Sequence, residues 1–219
     1  MNTDKKQALS VHLKAIRRML IVSVASVAVL FVLFFYLLCG PLVDFVLAPV
    51  RARGIEVITT SVSEALMMQF KVCLIAAVIA GMPVIIWQVW IFVAPALYPQ
   101  EKRLFAALFF VALLLFVGGV VFCYCLVFPM AIDLFWSAAD GVASTLWSVK
   151  EYFNFVLSFV LPFGLMFELP VVVYMLARRG LVTYQKLAHS RKYVILVIAI
   201  IAAILTPPDA VSQCMLAIP

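Results

Sequence analysis

Five long stretches without a charged side chain, separated by short polar segments, constrain this chain more than anything else in it. They cover residues 19–43, 72–100, 104–132, 152–177 with Glu168 as the sole interruption, and 193–208. A helix rises 1.5 Å per residue, so about 20 apolar residues cross the hydrocarbon core of a bilayer. The pattern predicts an all-α, polytopic membrane protein with five complete spans. Residues 210–219 are too few for another crossing and predict the start of a sixth helix, cut short, within a single membrane domain over 1–219. The last full run is short, which predicts local bilayer thinning or shelter by neighbouring helices.

Composition agrees: 67% of the 219 residues are hydrophobic and 12% charged, against roughly 45–50% and about 25% in soluble domains. The formal charge of +6 does not indicate nucleic acid, because the cations sit in the gaps between apolar runs rather than on one soluble face. They read as topology signals. Of the 16 lysines and arginines, twelve fall on one side: Lys5, Lys6, Lys14, Arg17, Arg18, Lys102, Arg103, Arg178, Arg179, Lys186, Arg191 and Lys192. Arg51, Arg53 and Lys150 fall on the other, and Lys71 lies next to the second run. The positive-inside rule then puts the N-terminus in the cytoplasm. The first run exceeds a secretory h-region of about 7–15 residues and is expected to stay as a signal anchor. Trp87, Trp90 and Tyr98 at one end of the second run, with Trp136, Trp147 and Tyr152 near the opposite membrane face, read as interfacial anchors. Pro83, Pro162 and Pro170 fall inside runs, where each removes a backbone donor and predicts a bend, and together a cupped bundle.

Few residues carry chemistry. The five cysteines show no C-x-x-C spacing, and His12 and His189 are far apart in sequence, so no metal or other cofactor is expected. No phosphate loop or dinucleotide fingerprint is present. Glu168 stands out because a carboxylate inside an apolar span is costly and marks a functional site by default. Helical rise separates its depth from that of Lys71 by roughly 15 Å, so the two are not expected to pair, and Lys71 is expected to snorkel outward. Glu101, beside Lys102 and Arg103, and the basic segment around Arg17 are by themselves ordinary solvated or headgroup-facing residues.

Four segments in order nevertheless resemble one family. HLKAIRRML at 12–20, PVIIWQVWIFVAPALYPQEKR at 83–103, FELP at 167–170 and LTPPD at 205–209 are similar to the TatC family of the twin-arginine protein translocase. The resemblance implies a six-helix cupped bundle in the bacterial inner membrane, with no enzymatic activity, binding twin-arginine signal peptides of folded cargo at its cytoplasmic face. It implies assembly with TatA-like and TatB-like single-span proteins, self-association in a receptor complex, and transport powered by the proton-motive force. By the same resemblance Glu101, Arg17, Phe92, Pro95 and Arg103 serve the signal peptide, Glu168 acts within the membrane, and Thr206 and Gln213 contact the partners. One departure stands at Ala15, where the family motif has glutamate. A guanidinium–carboxylate bond contributes about 1.5–3 kcal/mol, so its loss weakens recognition by roughly tenfold.

Two other readings remain open from sequence. A secondary transporter or channel would use Glu168 as an intramembrane proton or solute site. A degenerate member of the family would assemble without full signal-peptide recognition.

Overall fold

The computed structural model describes residues 2–93, 102–139, 146–178, 184–205 and 213–214. In chain order the elements are α1 (Asn2–Leu37), α2 (Cys39–Arg51), β1 (Val57–Ile58), α3 (Glu64–Val93), α4 (Lys102–Phe122), a π-turn (Cys123–Val127), α5 (Phe128–Ala139), β2 (Trp147–Ser148), α6 (Val149–Met166), α7 (Leu169–Arg178) and α8 (Tyr184–Leu205). Among the described residues four stretches are long and apolar enough to cross a membrane: Leu13–Leu37, Glu64–Ile91, Ala106–Ser137 and Val149–Arg178. Helix α8 carries the fifth predicted run as far as Leu205. The rest of that run lies outside the described residues, as does most of the expected sixth helix.

The first run is not one helix. The chain turns at Leu38 (φ −124°, ψ 3°) and re-enters as α2. Leu38 and Leu42 still donate to the carbonyls of Phe34 and Leu38, at 2.9 and 3.0 Å, but Pro41 between them has no N–H for Leu37. Proline fits the first turn of a helix without loss of a bond, and with Pro41 in the first turn of α2 the uncharged stretch that reads as one span divides at 38. Helix α2 and the two-residue strands form a cap at one end of the bundle. There β1 and β2 pair in parallel, Val57 opposite Trp147 and Ile58 opposite Ser148.

The cap is held by side chains that answer backbone defects. Pro49 inside α2 cannot give a proton to the Phe45 carbonyl four residues earlier. The Tyr124 hydroxyl donates to that carbonyl at 2.8 Å, and the Tyr152 hydroxyl donates to the Val46 carbonyl at 2.7 Å. The Phe45 and Tyr124 rings stack with centroids 4.4 Å apart. Arg53 reaches from the end of α2 to α5, donating to both Asp133 oxygens at 2.6 and 3.1 Å and to the Pro49 carbonyl at 3.0 Å. The hydrogen bond to Asp133 is also what raises the Arg53 guanidinium above its already high pKa. Tyr124 sits in the π-turn just before Pro129, which removes one more helical donor.

Between spans there is no hydrophobic gain from leaving water, so close approach at small residues decides the packing. Helix α1 lies along α3, where a Cβ on Gly81 would meet Val27 at 3.3 Å. Helices α4 and α6 approach most tightly at two glycines. A Cβ on Gly164 would stand 2.5 Å from the Phe116 ring, and one on Gly119 would stand 2.7 Å from the Phe163 carbonyl oxygen. Phe116, Phe128, Phe153, Phe159 and Phe163 are fully buried around this crossing.

The prolines act differently from one another. Pro83 and Pro162 lie inside continuous helices, α3 and α6. Pro170 instead sits in the first turn of α7, after a break at Phe167 and Glu168. Trp90 is also not an interfacial anchor: only 4% exposed, it packs with Ile86, Ala112 and Val171 between α3, α4 and α7. Trp87, 46% exposed, faces outward. Tyr152 is buried in the cap, where its hydroxyl donates to the Val46 carbonyl of α2.

Candidate functional site

Glu168 owes its position to the break that Pro170 imposes. Its carbonyl accepts from the amides of Val171 and Val172, both at 3.1 Å, so it stands where a helix cap stands, at the start of α7. The side chain enters a cleft of about 200 Å³ between α3 and the α6–α7 joint, lined by Met82, Ile86, Trp90, Leu165, Val171 and Met175. Every one of these six neighbours is apolar or, in Trp90, largely so. The Oε1 atom is buried with no hydrogen-bond partner among the described residues. A buried oxygen without a donor is destabilising by about 1–3 kcal/mol, a cost that ordinary packing would have removed.

Lys71 does not offset that cost. Its ammonium donates to Asn154 Oδ1 at 2.7 Å, fourteen residues before Glu168 in sequence and about 20 Å away by helical rise. Depth counting correctly keeps the two apart. What it misses is Asn154, a polar residue inside the fourth run that receives the lysine.

Of the candidate recognition residues, Arg17, Phe92 and Arg103 belong to described helices, at the end of the bundle opposite the cap. Arg17 and Ala15 are exposed on α1. Helix α1 runs toward the cap and α3 away from it, with Gly81 of α3 against Val27 of α1, so about ten residues further from the cap Arg17 stands level with the last turn of α3, at the end where α4 begins. Phe92 and Arg103 belong to α3 and α4 there. Glu101, Pro95 and Thr206 lie outside the described residues. Gln213 Nε2 makes one long contact, 3.4 Å, to the Ala199 carbonyl of α8.

Sequence reasoning passed over Glu64. Only 5% exposed, it accepts five hydrogen bonds: Thr60 N at 2.6 Å, Thr60 Oγ1 at 2.8 Å and Ser61 N at 3.1 Å on Oε2, Ser148 Oγ at 3.0 Å and Lys150 N at 2.9 Å on Oε1. All five partners donate, the complement of an ionised carboxylate. Glu64 thereby ties the start of α3 to β2 and the start of α6. The signal was present: Ser61 followed three residues later by Glu64 is the S/T-x-x-E pattern that closes a helix N-terminus.

These long apolar helices, the capped end and the unpartnered intramembrane acid define a multi-pass, all-helical integral membrane protein. The profile described as Sec-independent protein translocase protein (TatC) matches residues 11–219, and the chain belongs to the TatC family. It is 38% identical to the TatC protein of Carboxydothermus hydrogenoformans over 99% of this chain and 89% of that one. Against the TatC protein of Haemophilus influenzae it is 35% identical, over 100% of this chain and 86% of that one. The fold superposes on a crystal structure of the twin-arginine translocase receptor TatC with a TM-score of 0.88 and 36% identity, covering 95% of this chain and 92% of that one.

Proposed function

We propose that this translocase subunit is the receptor that takes the twin-arginine signal peptide of folded cargo at its cytoplasmic face. The observation that supports this reading is the placement of exposed Arg17 on α1 at the bundle end where α3 runs out and α4 begins, Glu101 being the residue just before α4 in sequence. Glu101 accepts a guanidinium in the bidentate geometry that lysine cannot reproduce. Arg17, Arg103, Phe92 and Pro95 serve the same peptide. The N-terminus faces the cytoplasm of a bacterial inner membrane, and the cap faces outward.

Glu168 serves a second step within the bilayer. Its orphaned oxygen in an apolar cleft is matched by a polar side chain on a single-span helix of the TatA or TatB kind. Thr206 and Gln213 mark a further partner contact beside α8. Copies of the subunit associate in the receptor complex, and the proton-motive force drives export. Binding of a twin-arginine peptide compared with its twin-lysine version tests the receptor reading. Equal affinity for the two would assign the chain to assembly without recognition, the outcome that Ala15 makes worth testing.

A further inference from the structure

At the cap end, away from Glu168 and from the recognition face, α3 and α6 enclose a second cleft of about 280 Å³. Its polar lining includes Ser61, Ser63, Lys71, Lys150 and Asn154. We propose that this cleft binds the phosphate of an anionic lipid headgroup.

The charge balance favours an anion. Three ionisable side chains line the cleft: Lys71, Lys150 and Glu64. Glu64 is buried and both its oxygens are filled by the five donors already described. Both lysines are exposed, and neither pairs with a carboxylate among the described residues. The Lys71 ammonium is held by the neutral Asn154 amide oxygen at 2.7 Å, which fixes its direction without cancelling its charge. The Lys150 side chain makes no hydrogen bond among the described residues, although its amide closes the Glu64 ring. The cleft therefore presents two cations and two serine hydroxyls beside the positive end of α3, a set suited to phosphate oxygens.

The apolar surroundings favour a lipid over a free ion. Met67 and Leu74 flank Lys71 at spacings of four and three residues, so the three share one face of α3. Met67 is 62% exposed and Leu74 48% exposed. An acyl chain descending from a phosphate at Lys71 would pass over exposed Leu74, about one turn further from the cap, whereas inorganic phosphate has no use for an apolar surface. A cation at the membrane surface attracts anionic headgroups in any case. Here the attraction is given a built cleft.

The test is native mass spectrometry of the full chain in detergent, titrated with phosphatidylglycerol, phosphatidylcholine or inorganic phosphate. The expected result is preferential retention of phosphatidylglycerol over phosphatidylcholine. Replacing each lysine weakens that retention by about tenfold, and K71Q/K150Q abolishes the preference. K150Q alone breaks no side-chain hydrogen bond, so its tenfold loss decides the matter even if the double variant does not fold. Undiminished preference in K150Q overturns the proposal. Displacement of the lipid by millimolar inorganic phosphate also overturns it, by assigning the cleft to a soluble anion.

Discussion

The Glu168 oxygen that finds no donor among the described residues is open to a donor from another molecule. Glu168→Ala is therefore expected to leave the subunit inserted and folded while transport in membrane vesicles falls, because the substitution removes an unsatisfied group rather than a packing contact. Glu168→Gln keeps hydrogen-bonding capacity and is expected to lose less. Normal transport rates in both variants would remove Glu168 from the mechanism. On the recognition face, Glu101→Ala is expected to abolish discrimination between twin-arginine and twin-lysine peptides. Ala15→Glu is expected to tighten binding of the arginine peptide by roughly tenfold, measured by peptide titration, and both effects should shrink with added salt. Glu168 was legible in the sequence because a charge inside an apolar run needs no structure to be noticed. Glu64 was not, because its five donors come from two segments far apart in sequence, 60–61 and 148–150, and only the local Ser61–Glu64 spacing announces any of them.

Helices in this bundle are set by where the backbone loses a donor and where a side chain is missing. At the α4–α6 crossing, Gly164→Ala drives a methyl group into the fully buried Phe116 ring, and overpacking of this kind destabilises by about 1–3 kcal/mol. Phe116→Leu in the same chain is expected to recover part of that loss, a coupling that a double-mutant cycle of thermal unfolding in detergent would measure. No recovery would place the strain elsewhere. At the cap, Tyr152→Phe removes a donor from the Val46 carbonyl and is expected to destabilise by about 1 kcal/mol, read from the same unfolding curves. The spans themselves were legible from hydropathy alone. Helix α2 was not, because the sequence on either side of Leu38 is equally apolar and only Gly40 and Pro41 hint at the turn. Pro170 was read as a bend, but it starts a new helix because Glu168 caps the turn before it.

Across the whole molecule, the two ends are built from different materials. The cap end has strand pairing, two tyrosine hydroxyl bonds, the Arg53–Asp133 pair and the Glu64 ring. The opposite end carries most of the lysines and arginines. Cysteines introduced at Lys102 and Ala143 in a cysteine-free background should react with an impermeant maleimide from opposite sides of sealed cells, Lys102→Cys only after permeabilisation. Labelling of Lys102→Cys in intact cells would invert the orientation proposed for the chain. The cap bonds have a mechanical meaning as well. Bonds gathered at one end act like the pin of a pair of tongs: they tie the starts of α3 and α6 to α2 and α5, whereas toward the other end Ile86, Ala112 and Val171 hold α3, α4 and α7 together through apolar packing.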